Sequence, residues 1–199
     1  MKIIINICVL SLVFSCTGKT KNEIKQITDY SIFNTYKIDS HLNKISIFKK
    51  MNKMPEILDF NLKPNEKLKR STVMILQTNN SLDFSKTYED SIFNCTAKFI
   101  NPNEILINIG YKNIDSEDGF NIKVQKNDYF IEPYIYLVKS DKDKKIFNTI
   151  IKQELTLNKA SYKKGDSLYG KSQFLIRQTS MQNDTIYFRG KGFFRSIVQ

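Results

Sequence analysis

The chain has 199 residues, 41% of them hydrophobic, which suits one cored domain with little to spare for a second. Its formal net charge of +11 draws it toward anions, although the abundance of lysine, asparagine and isoleucine also fits a coding bias. The only histidine, His41, has no second histidine or cysteine beside it, which excludes zinc sites built on two or more of them; no Gly-x-Ser-x-Gly elbow or glycine-rich phosphate loop occurs either.

Met1-Lys2 opens the chain, and an apolar run follows from Ile3 to Phe14, interrupted by Asn6 and Ser11. As a helix this run would span roughly 18 Å, short of the ~30 Å hydrocarbon core of a bilayer. A positive start followed by a short apolar stretch is the pattern of an export signal. The run ends at Val13-Phe14-Ser15-Cys16. This resembles the lipobox of bacterial lipoprotein signal peptides, with an aliphatic residue at −3, a small one at −1 and the acceptor cysteine; Phe14 is bulkier than the usual −2 residue. The resemblance implies cleavage before Cys16, lipidation of its thiol and attachment to a membrane in the cell envelope. Thr17 stands where aspartate would mark inner-membrane retention, which favours the outer membrane. Residues 1–15 are then signal peptide, 16–30 the lipidated cysteine and a polar tether, 31–70 a short mixed amino-terminal segment, and 71–199 the folded domain. Cys8 leaves with the signal peptide, so Cys95 is the one thiol left for the domain, expected to be buried in a strand.

From Lys21 to Ser31 the pattern is weakly helical, with Ile24 and Ile27 three apart. Ile45, Ile47 and Phe48 suggest a short strand, and Ile57 to Leu62 another. From Ser71 onward strand follows strand. Residues 72–78 form a short apolar run. Ile105, Ile107, Ile109 and Tyr111 alternate, as do Phe120, Ile122 and Val124. Residues 129–138 carry Pro133, which places an edge or bulge there. Residues 147–157, 168–177 and 185–198 complete the set, with turn signals at 101–103, 115–119, 139–145, 163–166 and 182–184. The expected fold is mainly β, an antiparallel β-sandwich. The step from Tyr162-Lys163-Lys164-Gly165-Asp166 into Leu168 and Gly170 loosely resembles that of immunoglobulin-like sandwiches, so the fold is expected to be of that or a similar kind.

Two groups of residues are candidates for binding. Asp115, Glu117 and Asp118 before Gly119 form an acidic hairpin loop, a weak calcium candidate. In the last strand Tyr187, Arg189, Lys191, Phe193 and Arg195 share one face, an aromatic and basic ladder suited to an acidic glycan or lipid head group. No catalytic constellation, metal centre or cofactor motif is recognised. The expected function is therefore a non-catalytic binding or structural module, lipid-anchored and facing the periplasm or exterior. Its partners would be the membrane and an anionic lipid, a glycan or a protein, and not nucleic acid. An immunity-type lipoprotein that neutralises a toxin is the alternative, and a carboxylate-only glycan-active enzyme the third reading.

Overall fold

The computed structural model describes residues 25–28, 34–53, 70–85, 88–92, 94–112, 116–137 and 145–199. The strands are β1 Lys25–Thr28, β2 Asn34–Thr35, β3 Lys37–Ile38, β4 Val73–Asn79, β5 Tyr88–Ile92, β6 Cys95–Asn101, β7 Glu104–Lys112, β8 Ser116–Gln125, β9 Asp128–Leu137, β10 Lys145–Leu157, β11 Ser167–Ser180 and β12 Thr185–Ile197. A 3-10 turn, Leu42–Lys44, and one short helix, α1 Ser46–Met51, lie between β3 and β4. The larger sheet has the order β1-β10-β11-β12-β4-β5, with β3 also on β10; the smaller is β2-β9-β8-β7-β6. Their facing sides enclose one apolar core, so the chain is a mainly β sandwich, as expected.

Alternation decides which residues enter that core. Ile105, Ile107 and Ile109 of β7 and Phe120, Ile122 and Val124 of β8 are buried, and their ladder partners keep them on one face. Burying each such side chain stabilises the fold by about 1.5–3 kcal/mol. Phe120 crosses the interface to Phe174 of β11, ring centroids 4.5 Å apart, and to Phe188 of β12 at 6.0 Å. Strands β6 to β9 form a meander, and β10 to β12 another. This connectivity differs from the immunoglobulin arrangement, in which the chain passes repeatedly between sheets. The described pairings are antiparallel except where β1 and β3 run parallel to β10, and where Val198 bridges Ala97.

Several local expectations are corrected. Residues 25–28 are strand, not helix, and Ser46–Met51 is helix, not strand. Glu117 and Asp118 pair with Lys112 and Tyr111 inside a ladder rather than lying in a loop. Asp115, Cys16 and the strand expected at 57–62 lie outside the described residues. The sandwich also reaches upstream of Ser71, because β1, β2 and β3 are part of its sheets. Pro133 lies in β9 beyond the two residues that pair with β2. The amide of Ile131, two residues earlier, points away from β8, to the side chain of Gln153. A proline two residues on therefore loses an N–H that would have pointed to the same edge.

Both ends of the described chain lie at a seam between the sheets. At one seam β1 and β3 lie on β10 while β2, between them in sequence, pairs with β9. Tyr36 sits at this crossing, buried, with its hydroxyl 3.0 Å from the carbonyl of Lys126 and 2.8 Å from that of Ala160. Gln153 of β10 accepts the Ile131 N–H across the same seam at 3.0 Å. At the other seam β12 runs on into residues 198–199, which leave the larger sheet and bond β6: Gln199 N–H to Ala97 and Phe99 N–H to Gln199. The turn at 163–166 holds that tail, with Gly165 donating to Val198 at 2.7 Å and Val198 donating to Asp166 at 3.0 Å.

Two glycines in β11 and β12 sit beneath aromatic rings. Gly170 pairs with Phe194, and Gly190 with Phe174; a Cβ on either glycine would fall inside the partner's ring. Gly192 instead lets the backbone of Thr72 and Val73 approach. Gly190→Ala should therefore cost about 1–3 kcal/mol through overpacking. Urea unfolding should show a lower midpoint at an unchanged slope, and the loss should shrink in a Phe174→Leu background.

The Asp166 carboxyl is held below the ordinary range, first by the backbone N–H of Lys163 and then by Lys159. A depressed folded-state pKa contributes stability above the unfolded-state value of about 3.9 and loses it as pH falls through the folded value. Asp166→Asn should thus be less stable than wild type at neutral pH, and the two melting curves should converge in acid below that range.

Candidate functional site

The outward side of the larger sheet is built by the odd-numbered residues of β11 and β12. Across the strands Thr149, Arg177, Tyr187 and Thr78 form one row. Lys152, Leu175, Arg189 and Leu76 form the next, then Glu154, Gln173, Lys191 and Met74. Lys171 and Phe193 stand in a fourth, beside Thr156. Among the described side chains this face carries six cations, Lys37 beside Thr156 and then Lys152, Lys171, Arg177, Arg189 and Lys191, all exposed, against the one carboxylate of Glu154. Lys152 pairs with Glu154 at 3.0 Å. That bond, the charge of Lys152 and then those of Lys37 and Lys171 hold the Glu154 carboxyl below its usual range. Arg189 lies 5.9 Å from the ring centre of Phe84, and Lys171 lies 5.8 Å from that of Phe193.

The basic ladder expected on β12 does share one face, but α1 divides it. Phe48 of α1, fully buried, meets Tyr169 and Phe193 edge-on at 5.0 and 5.7 Å. Leu42 and Met51 complete this second, smaller core. Arg195 is 6% exposed and donates to the carbonyl of Met51 at 3.1 Å; Arg70 donates to the same carbonyl at 3.4 Å. A carbonyl at a helix carboxy-terminus is a favourable place for a cation. Phe193 and Arg195 are therefore structural anchors for α1 and not part of an open contact surface. Tyr187, Arg189 and Lys191 remain open, over roughly 13 Å at ~3.3 Å per residue. The sequence alone did not single out Arg177, Lys171 or Lys152, which stand on neighbouring strands and join the patch through the sheet register.

A cleft of about 390 Å³ lies at the seam between β9 and β10, where β2 on β9 passes to β3 on β10. Tyr129, Gln153, Ser172 and Lys37 line it, with Glu154 and Lys171 at its outer side. The Tyr129 hydroxyl is pushed above its ordinary range, first by burial and then by the Glu154 charge. Ser172 is 1% exposed, and among the described residues its hydroxyl has no hydrogen-bond partner. The cleft is of a size for a small polar molecule. His41 is exposed on the turn before α1, and Cys95 is a buried thiol. Among the described residues no group of three His, Cys, Asp or Glu side chains could hold a metal ion, and no helix is long and apolar enough to cross a membrane.

In comparisons with known proteins, no protein family, curated protein or solved structure matched this chain. The functional reading therefore rests on its own residues.

The division of the ladder has a measurable consequence. Arg195→Ala removes a charged donor from a buried carbonyl and should lower stability by about 2–3 kcal/mol. Arg189→Ala, on the open part of the same strand, should stay within about 0.5 kcal/mol of wild type. Chemical denaturation of the two variants side by side checks both.

Proposed function

We propose that this protein is a lipid-anchored lipoprotein of the cell envelope, acylated on Cys16, whose sandwich is a non-catalytic binding module. Its partner is anionic, and the open outer face of β10, β11 and β12 receives it. The observation that carries this reading is the excess of cations on that face, six against one carboxylate among the described side chains. Interleaved Tyr187, Leu175 and Met74 give the same surface apolar area between the charges. Guanidinium and ammonium groups at strand spacing suit phosphate or carboxylate groups repeated along a glycan or spread over a leaflet.

Two arms test it. Metabolic labelling with palmitate should mark the wild type and leave Cys16→Ser unmarked; equal labelling of both would refute the anchor. In the second arm, Arg189→Ala combined with Lys191→Ala removes two cations, each worth about 1 kcal/mol near an anionic surface. Binding should weaken roughly thirtyfold, measured separately on phosphatidylglycerol vesicles and on an acidic polysaccharide. The arm that responds identifies the source of the anion. Binding should also fade with salt, because the Debye length falls from ~10 Å at 0.1 M to ~3 Å at 1 M. Wild-type affinity in the double variant on both materials would remove this face from consideration.

A further inference from the structure

We infer that the cleft between β9 and β10 is a subsite for one acidic sugar residue, the end of a glycan whose next residues lie on the cationic outer face. This rests on the reading of that face as an anion-binding surface, and it names the anion as part of a glycan and not of a leaflet. The cleft and the face are continuous. Lys37 of β3 and Lys171 of β11 flank Thr156 of β10 in one cross-strand row, and all three line the cleft. The two lysines stand two strand spacings apart, roughly 10 Å between their Cα atoms. Both are exposed, and neither has an ion-pair partner among the described residues. Gln173, which also lines the cleft, pairs in the sheet with Lys191 of the open face.

The lining selects a sugar over other anions. Glu154 stands at the rim, paired with Lys152 at 3.0 Å. A carboxylate only accepts hydrogen bonds and repels a bare anion, so the occupant that suits it carries O–H groups as well as negative charge. Thr35, Thr156 and Gln173 both donate and accept, as sugar hydroxyls do. A lipid head group brings acyl chains that need apolar surface, and Leu155 is the only wholly apolar residue in the lining. On the core side, Ser172 is 1% exposed, and its hydroxyl has no partner among the described residues. A buried hydroxyl left unpaired costs stability, and a hydroxyl of the occupant removes that cost. The Tyr129 hydroxyl, raised by burial and then by the Glu154 charge, stays protonated and can donate. At about 390 Å³ the cleft has room for a single sugar ring with its substituents.

Calorimetry on the full chain in neutral detergent tests this, with uronate, sulfated and phosphorylated disaccharides and the neutral counterpart of each as probes. At least one acidic disaccharide should bind, and its neutral counterpart should bind about tenfold more weakly or less. Lys37→Ala combined with Lys171→Ala should weaken that binding about thirtyfold. Arg189→Ala combined with Lys191→Ala should change it less than about threefold, because a disaccharide ends near the cleft. Ser172→Ala should weaken it about fivefold at an unchanged or higher melting temperature. A lower melting temperature with unchanged binding would make that hydroxyl structural and overturn its role. Wild-type affinity in the Lys37 and Lys171 double variant, or no binding of any acidic disaccharide, would overturn the subsite. Phosphatidylglycerol vesicles and an acidic polysaccharide separate the two readings. Vesicle binding that is lost with Arg189 and Lys191, while the acidic disaccharides stay unbound, would keep the outer face and discard the cleft. Failure of both materials to bind the wild type would discard the face and the cleft together.

Discussion

A two-sheet sandwich has two long seams where its layers meet, and here one end of the described chain lies at each. Every other feature of the fold leans on that arrangement. Along β10 the chain keeps step while it changes sheets. Nine residues separate Thr28 from Lys37, and eight separate their partners Asn148 and Thr156. Between those contacts Asn34 and Thr35 pair with β9 instead. A segment that pairs with both edges ties them without a wide sheet having to bend. The cost is a polar opening where it departs, and the cleft lined by Gln153, Ser172 and Lys37 is that opening. Edge strands left bare invite pairing with other chains, and the tail at Gln199 occupies part of the edge of β6 through Ala97 and Phe99.

The same economy governs the outer side of the larger sheet. A sheet with only one covered face normally leaves the other to solvent. Here α1 covers one end of it, and the small core of Leu42, Phe48 and Met51 is bought by placing Tyr169, Phe193 and the stem of Arg195 outward. Along β12 alternation therefore continues unbroken while its meaning changes. Arg189 and Lys191 are solvated, and Arg195, on the same face, is sealed. One strand thus serves a contact surface at one end and a structural joint at the other.

How far the sequence revealed this depends on the range of the interaction. The strands of β7, β8 and β12 were legible because one face of each is buried and the period is two; Ile105, Ile107 and Ile109 leave little choice. Segments too short to establish a period were misread. Ile24 and Ile27 are three apart, yet Lys25–Thr28 is a strand held by its parallel pairing with β10. Ile45, Ile47 and Phe48 looked alternating, while the buried pair Phe48 and Met51, three apart, was the helical signal. The acidic residues Glu117 and Asp118 read as a turn because propensity is local, but pairing with Lys112 and Tyr111 places them in a ladder. The β12 ladder was legible as a geometric row. Its division was not, because the carbonyl that Arg195 meets lies 144 residues away in sequence.

The glycines of β11 and β12 explain how this sheet stays ordered while carrying so many charges outward. Phe174 lies over Gly190 and Phe194 over Gly170, so each ring fills the space its cross-strand neighbour leaves open. A one-residue slip between these strands would turn the slipped strand's ring out of the core and part both rings from their glycines. Register is thereby fixed from the inside by two aromatic–glycine pairs. The outward positions need contribute nothing to it, and Arg177, Arg189, Gln173 and Lys191 are free of that duty. A surface relieved of structural work can hold repelling like charges, whose mutual cost at strand spacing is modest in water. Arg195 is the contrasting case on the same strand: bonded to the Met51 carbonyl beneath α1, it has exchanged solvent for a structural partner.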